Sequence, residues 1–209
     1  PNMNTTNKLE DYLICLRKFH KLCDYLTINI SSPNTENLRN FHNKSALDQL
    51  LKTIHEEKKI LKSKVLIALK ISPDIDEENI SNISELLFKY EVDIIIISNS
   101  TDQNRNNLKN INKLEKGGLS GKPLEKKSNI LINKFYKILS NKVKIIGVGG
   151  VDSGRSAYEK FINGASLVQL YTGMVYKGPN IARNISEELI NILKSEGVKN
   201  ISEVIGIKN

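Results

Sequence analysis

Five short, nearly continuous apolar runs constrain the fold of this chain more than any other feature. They cover residues 25–30, 65–71, 92–97, 143–148 and 166–170, and runs of this kind are typical of strands buried on both faces. Helical patterns lie between them at residues 45–61, 77–90, 125–139 and 153–163, with one before at 9–22 and one after at 181–195. This alternation predicts one α/β domain with a parallel sheet covered by helices.

Composition excludes several function classes. The 31 Lys and Arg exceed the 23 Asp and Glu, but the basic residues are scattered, so we predict a solvated surface and no nucleic-acid partner. Cys15 and Cys23 are expected to be buried free thiols in a reducing compartment. The three histidines show no ligand spacing, so no metal site is predicted. No membrane span or signal peptide is visible, and a chain that opens with Pro1 is expected to be a fragment or a processed product.

Small polar residues and glycines follow every predicted strand. Ligands of parallel sheets and barrels gather at the carboxyl ends of the strands, so these residues are the candidate site. The first group, at residues 28–35, is by itself more typical of an ordinary turn. The repetition of the arrangement favours a binding site, and the candidates are Asn29, Ser31, Ser32, Asn34, Lys70, Ser72, Ser98, Asn99, Ser100, Thr101, Gly147, Gly149, Gly150, Tyr171, Thr172 and Gly173.

Two of these features indicate particular chemistry. Lys70 lies inside an apolar strand, where a charge is unfavourable unless it faces an anion or an electron-rich ligand; the alternative is an edge strand whose lysine reaches solvent. The glycines of 147–150 lead into a helix that begins near Ser153, and their amides with that helix N-terminus would form an anion cradle. Residues 171–173 and the glycine-rich stretch 117–121 would contribute to it.

With these residues collected, the chain resembles the dihydroorotate dehydrogenase family from residue 11 to residue 206. Six motifs occur in the family's order, at residues 29–35, 69–74, 98–101, 117–121, 147–150 and 169–173. The resemblance implies an FMN-dependent (β/α)8 TIM barrel that oxidises dihydroorotate to orotate in pyrimidine (UMP) biosynthesis. It also implies that the five strands match the fourth to eighth of the barrel, so that residues 1–209 are the C-terminal part of a single FMN-binding domain.

The resemblance also assigns roles to residues. The catalytic base is Cys in the family's soluble class and Ser in its quinone-linked class, so Ser32 implies the quinone-linked class and would take the C5 proton while hydride passes from C6 to the flavin. Ser100 stands where many relatives have Thr. The residues implied to bind FMN are Asn29, Lys70, Ser98, Gly121, Gly149, Gly150, Tyr171 and Thr172, and those implied to bind the pyrimidine are Asn34, Asn99 and Ser100.

The implied partners are dihydroorotate or orotate, a quinone, and a membrane surface contacted through N-terminal elements that the chain lacks. The implied location is peripheral, on the cytoplasmic face of the bacterial inner membrane or on the mitochondrial inner membrane. Without three βα units the chain alone is expected to be poorly stable and inactive. Two alternatives stay open: another FMN barrel acting on a pyrimidine, which would normally have Cys at position 32, and a non-catalytic phosphate-binding scaffold.

Overall fold

The computed structural model describes residues 7–35, 38–103, 105–106 and 108–209, and in this part of the chain five strands alternate with seven α-helices. The strands are β1 (Tyr25–Asn29), β2 (Leu66–Ile71), β3 (Ile94–Ile97), β4 (Lys144–Val148) and β5 (Leu167–Gln169). The helices are α1 (Lys8–Phe19), α2 (Lys44–Ile60), α3 (Glu77–Lys89), α4 (Glu125–Leu139), α5 (Gly154–Ile162), α6 (Thr172–Lys177) and α7 (Ile181–Ser195). Every predicted strand and helix is confirmed, and the short helix α6 is an addition.

The strands form one parallel sheet in which the spatial order, β1-β2-β3-β4-β5, is the order along the chain. In a flat sheet four spacings would place β1 and β5 about 19 Å apart. Gln169 in β5 nevertheless donates a hydrogen bond to the Tyr25 hydroxyl in β1 at 3.2 Å. The sheet therefore curls strongly, as part of a closed barrel would.

The two faces of the sheet pack differently. The outer face, with residues such as Leu69, Ile95 and Ile97, joins the helices in the main apolar core. The inner face carries a smaller cluster of Ala68, Ile94, Ile96, Ile146 and Val148. Successive side chains of a strand point to opposite faces of the sheet. Each strand residue therefore faces either the helix-covered core or the barrel interior.

Tyr25, Leu66 and Leu167 belong to the inner face and are 38%, 42% and 60% exposed. Register places Tyr25 beside Leu66, and places Leu167 beside Ile146 of the inner cluster. Large apolar side chains are exposed here because a five-strand arc surrounds only part of a barrel interior.

Cys15 and Cys23 are free, as predicted, but both are exposed, so the prediction that they are buried was wrong. Cys15 lies on α1 outside the buried stripe of Tyr12, Leu13 and Leu16 and lines a cavity beside β1, and Cys23 lies in the segment between α1 and β1. The apolar stripe of α1 thus passes beside Cys15 and does not include it.

Within the described residues no helix is long and apolar enough to cross a membrane. The same part of the chain holds no group of three or more His, Cys, Asp or Glu side chains that could bind a metal ion.

Candidate active site

A cavity of about 240 Å³ lies at the carboxyl edge of the sheet, lined by Lys70 of β2 and by the loops that follow the other four strands. Ten of the twelve residues to which the resemblance assigns a role line it: Asn34, Lys70, Ser98, Asn99, Ser100, Gly121, Gly149, Gly150, Tyr171 and Thr172. The remaining two, Asn29 and Ser32, line an adjacent cavity of about 480 Å³ beside α1 and β1. The structure thus brings the predicted residues together at the carboxyl edge of the sheet, and their roles stay predictions.

Lys70 projects into the barrel interior at the end of β2. Its register neighbours are Asn29 in β1 and Ile96 in β3, so β2 is an internal strand and the alternative of an edge lysine is wrong. Within the described residues no carboxylate pairs with the Lys70 ammonium, and burial lowers the pKa of this group. An unpaired, partly dehydrated cation at a cavity wall is suited to stabilising negative charge on a bound ligand.

A ring of hydrogen bonds joins the ends of β1 and β3. The Ser31 hydroxyl donates to Asn29 Oδ1 at 2.8 Å and accepts from Asn99 Nδ2 at 3.0 Å. The Tyr12 hydroxyl donates to the Asn29 carbonyl at 2.7 Å, which fixes the end of β1 against α1. The Asn99 carboxamide is therefore held by the loop that carries Ser32, before any ligand binds.

The two adjacent serines differ in their hydrogen bonds. Ser31 is fully buried and its hydroxyl both donates and accepts within the ring. Ser32 is half-buried, and its Oγ accepts the Asn34 amide at 3.2 Å. Among the described residues the Ser32 hydroxyl proton has no assigned acceptor, so Ser32 is the one of the two that is free to exchange a proton with a ligand or with water.

Glycines leave their backbone amides uncovered on the opposite wall. A Cβ on Gly150, where φ is +78°, would lie 2.5 Å from Glu125 Cβ and 2.9 Å from Glu125 Cα. A Cβ on Gly121, where φ is +79°, would lie 2.8 Å from Thr172 Cγ2. Contacts this short exclude any larger residue, and the resulting bare amides are typical of a phosphate cradle.

The helix that begins near Ser153 does not contribute to this cradle, so that part of the prediction was wrong. The Gly154 amide donates to Glu188 Oε2 at 2.6 Å, and the Ser156 amide donates to Ser153 Oγ at 3.2 Å. Ser153 and Ser156 form a capping box that satisfies the first turn of α5 internally. The loop residues and the Ser120–Thr172 hydroxyl pair, 2.8 Å apart, enclose the site instead.

Sequence reasoning missed three residues that organise the site without lining it. Arg39 and His42 bind backbone groups of the loops that follow β1 and β2. Asp74 binds the side chains of Arg39, Thr101 and Lys127. Asp74 belongs to the motif 69–74, which was a usable signal. Arg39 and His42 lie in a polar segment without periodicity, and nothing local distinguishes them from solvated residues.

Comparisons with known proteins agree with this geometry. The family model described as dihydroorotate dehydrogenase matches residues 2–193. A protein named dihydroorotate dehydrogenase (quinone) from Aliivibrio salmonicida is 45% identical over 181 residues, which are 84% of this chain and 54% of that protein. One of the same name from Bartonella tribocorum is 40% identical over 208 residues, covering 97% of this chain and 57% of its own length.

Solved structures give the same result for the fold. The ligand-free DHODH of Eimeria tenella superposes with a TM-score of 0.95 at 32% identity, covering all of this chain and 62% of that one. The complex of that protein with ferulenol also gives a TM-score of 0.95 and covers 99% of this chain. The chain thus spans a little over half the length of its relatives, and its five βα units correspond to part of their TIM barrel. The match in motifs, sequence and backbone together means that this chain belongs to the dihydroorotate dehydrogenase family.

Proposed function

We propose that the protein carrying this chain is a quinone-linked dihydroorotate dehydrogenase that uses FMN to oxidise dihydroorotate to orotate in pyrimidine biosynthesis. Residues 1–209 would be the C-terminal part of its single FMN-binding barrel domain. The observation that carries the proposal is the unpaired Lys70 ammonium, which shares one cavity with the Asn99 and Ser100 side chains and with the glycine wall.

The residues of the cavity fit FMN. The backbone amides at Gly121, Gly149 and Gly150, with the Thr172 hydroxyl, suit a terminal phosphate. Glycine is needed at 121 and 150 because a Cβ there would collide with Thr172 and Glu125. Lys70 suits the pyrimidine end of the flavin ring, which carries negative charge when reduced. When bound, FMN supplies the hydride acceptor. Asn29, Ser98 and Tyr171 would complete its binding site.

The remaining polar groups fit a dihydropyrimidine. Carboxamides present one acceptor and two donors, which match the carbonyl and N–H edge of the ring, and Asn99 is held in position by Ser31 and Asn29. Asn34 and Ser100 line the same wall. Oxidation removes a hydride and a proton from neighbouring carbons. Ser32 would accept the proton while its own hydroxyl proton passes to water, because its hydroxyl is half-buried and not committed to the internal ring.

The quinone acceptor is proposed from the relatives, whose name includes it, and from Ser at position 32. Two electrons and two protons would pass to the quinone and form a quinol. A membrane-peripheral location follows from the solubility of quinones in lipid, and the bacterial or mitochondrial inner membrane is the proposed surface. A non-catalytic scaffold is disfavoured, since phosphate binding alone gives no reason for an unpaired lysine in the barrel interior.

The Ser32→Ala variant tests the assignment on the FMN-loaded protein at its full natural length. Dihydroorotate is added without oxygen, and the loss of flavin absorbance is followed in a stopped-flow instrument. We expect the variant to bind FMN normally and to be reduced at least about a hundredfold more slowly, the usual contribution of a positioned base. Ser31→Ala is the matched control, and it should alter orotate affinity more than the proton-transfer step. Equal reduction rates in the Ser32→Ala variant and the wild type would refute the role of Ser32.

A further inference from the structure

Arg39 lies where the loops after three strands meet. Its Nε donates to the Ser31 carbonyl at 3.3 Å, and its Nη2 donates to the Ser100 carbonyl at 3.2 Å. Its Nη1 lies 2.9 Å from Asp102 Oδ1 and 3.5 Å from Asp74 Oδ2. One guanidinium therefore connects the loop that carries Ser32, the loop after β2 and the loop after β3.

Asp74 makes this connection a buried one. Its side chain is only 2% exposed, and its Oδ1 accepts hydrogen bonds from the Thr101 hydroxyl at 2.6 Å and from Lys127. Its Oδ2 accepts no hydrogen bond from the described residues and faces the Arg39 guanidinium. Removing Arg39 would leave this buried oxygen facing no cation, with Lys127 still paired to Oδ1, and an unpaired buried carboxylate oxygen is costly in a protein interior.

His42 fixes the other end of the same turn. Its Nε2 accepts the Ser72 amide at 3.2 Å, so the ring proton is on Nδ1 and points to the Arg39 carbonyl 2.9 Å away. Burial lowers the pKa of His42, which keeps the ring in the neutral form that this pair of bonds requires. The turn Leu38–His42 is thus bound to the loop after β2 through the His42 and Arg39 side chains, and to the other two loops through Arg39.

We propose that Arg39 is a positioning residue, which holds the loop bearing Ser32 and the loop bearing Asn99 and Ser100 at a fixed separation across the pyrimidine site. The effect of Arg39 on orotate binding and turnover rests on the proposed function, whereas its restraint on the two loops does not. A guanidinium suits this task because its five donors lie in one rigid plane, and here they reach two carbonyls and two carboxylates at once. The ammonium of a lysine at this position would pair with the acids but would not reach both carbonyls.

The chain offers a matched control in Arg17. That side chain also bridges two carboxylates, Glu10 at 2.8 Å and Glu57 at 2.7 Å. It joins α1 to α2 at the solvent-exposed side of these helices. Arg17→Gln removes a similar pair of ion pairs without touching the site. Any effect of Arg39→Gln that Arg17→Gln does not share is therefore due to the position of Arg39.

The test compares Arg39→Gln, Arg39→Lys and Arg17→Gln with the wild type at full natural length and loaded with FMN. Hydrogen exchange is measured on peptides that cover residues 28–35 and 99–103, and orotate affinity is measured from the change in flavin absorbance. In the wild type, opening either loop must break the contacts of Arg39. Because Arg39→Gln lacks these charged contacts, we expect exchange in both peptides to accelerate by about tenfold or more. Orotate affinity should fall by about tenfold at unchanged FMN content, with Arg39→Lys between Gln and wild type.

The proposal would be overturned if both peptides exchanged at the same rate in Arg39→Gln as in Arg17→Gln. Faster exchange in only one peptide would also overturn it, because loss of a side chain that holds both loops must affect both of them. Exchange does not depend on the reaction, so it decides the proposal even if dihydroorotate fails to reduce the wild-type flavin, a result that would refute the proposed function alone.

Discussion

Lys160 gives the most quantitative prediction for this fold. The side chain lies on α5 and is fully buried between α4, α5 and β4, with its alkyl chain against Gly147. Its Nζ donates to Asn129 Oδ1 at 2.6 Å and to the Glu125 carbonyl at 3.4 Å. Burial lowers the pKa of this ammonium to about 7, although the Glu125 carboxylate partly opposes the shift.

The sign of the effect on stability follows from proton binding. An unfolded lysine has a pKa of about 10.4, so between about pH 7 and pH 10.4 the unfolded chain binds more protons than the folded one. The free energy of unfolding should therefore rise with pH in this window, by up to about 1.4 kcal/mol per unit. Below about pH 7 both states are protonated, and the full penalty of about 4 to 5 kcal/mol persists.

Replacing Lys160 with Met removes the buried charge and keeps the length of the side chain. It also removes the donor to Asn129 Oδ1, which costs about 1 to 3 kcal/mol, and the weaker 3.4 Å contact to the Glu125 carbonyl. At pH 6.5 we expect the variant to be more stable than the wild type by about 2 kcal/mol or more. Above about pH 10 the wild type should be the more stable, since its neutral amine keeps both hydrogen bonds.

Urea unfolding of the protein at full natural length, followed by circular dichroism at several pH values from 6.5 to 10, measures this difference. Lys208→Met is the control, because Lys208 pairs with Glu159 of the same helix but is half exposed. We expect its effect to be below about 1 kcal/mol and nearly independent of pH. A Lys160→Met effect that does not change with pH, or a wild type that is more stable at every pH, would refute the reasoning.

Two further substitutions test the walls of the cavity. Lys70→Ala should weaken FMN binding and slow flavin reduction by dihydroorotate by about a hundredfold, since it removes a preorganised cation; FMN affinity and reduction rate at wild-type values would contradict this role. Gly118→Ala places a Cβ 1.9 Å from Ser100 Oγ and 2.5 Å from Ser100 Cβ, so Ser100 must move. The variant should lose about tenfold or more in orotate affinity while its FMN content is unchanged; unaltered titration with orotate would show that Ser100 does not contact the ligand.

The strands were predictable because each reads as a nearly continuous apolar run, although only β3 is buried at every position. The five predicted runs contain the observed strands, from Tyr25–Asn29 to Leu167–Gln169. The cavity was predictable too, because the carboxyl ends of parallel strands converge. Helix α6 was missed because its six residues are too few to show a helical period, and none of them is buried.

Other features depend on partners distant in sequence. Arg39 contacts residues 61 and 63 positions away, and such contacts leave no local pattern. The amides at the start of α5 appeared available for an anion, but Glu188, 34 residues later, binds the first of them. The exposure of Cys15 depends on the exact rotation of α1 against the sheet. The strands and the polar residues at their ends thus have local sequence patterns. The residues that position the site are defined by contacts with distant parts of the chain, which leave no such pattern.

The most direct test of the central claim is anaerobic titration of the FMN-loaded, full-length protein with dihydroorotate, followed by addition of a quinone. The account predicts loss of the oxidised-flavin absorbance, formation of one orotate per flavin, and recovery of the absorbance when the quinone is added. FMN that binds but keeps its absorbance in the presence of dihydroorotate would contradict the account.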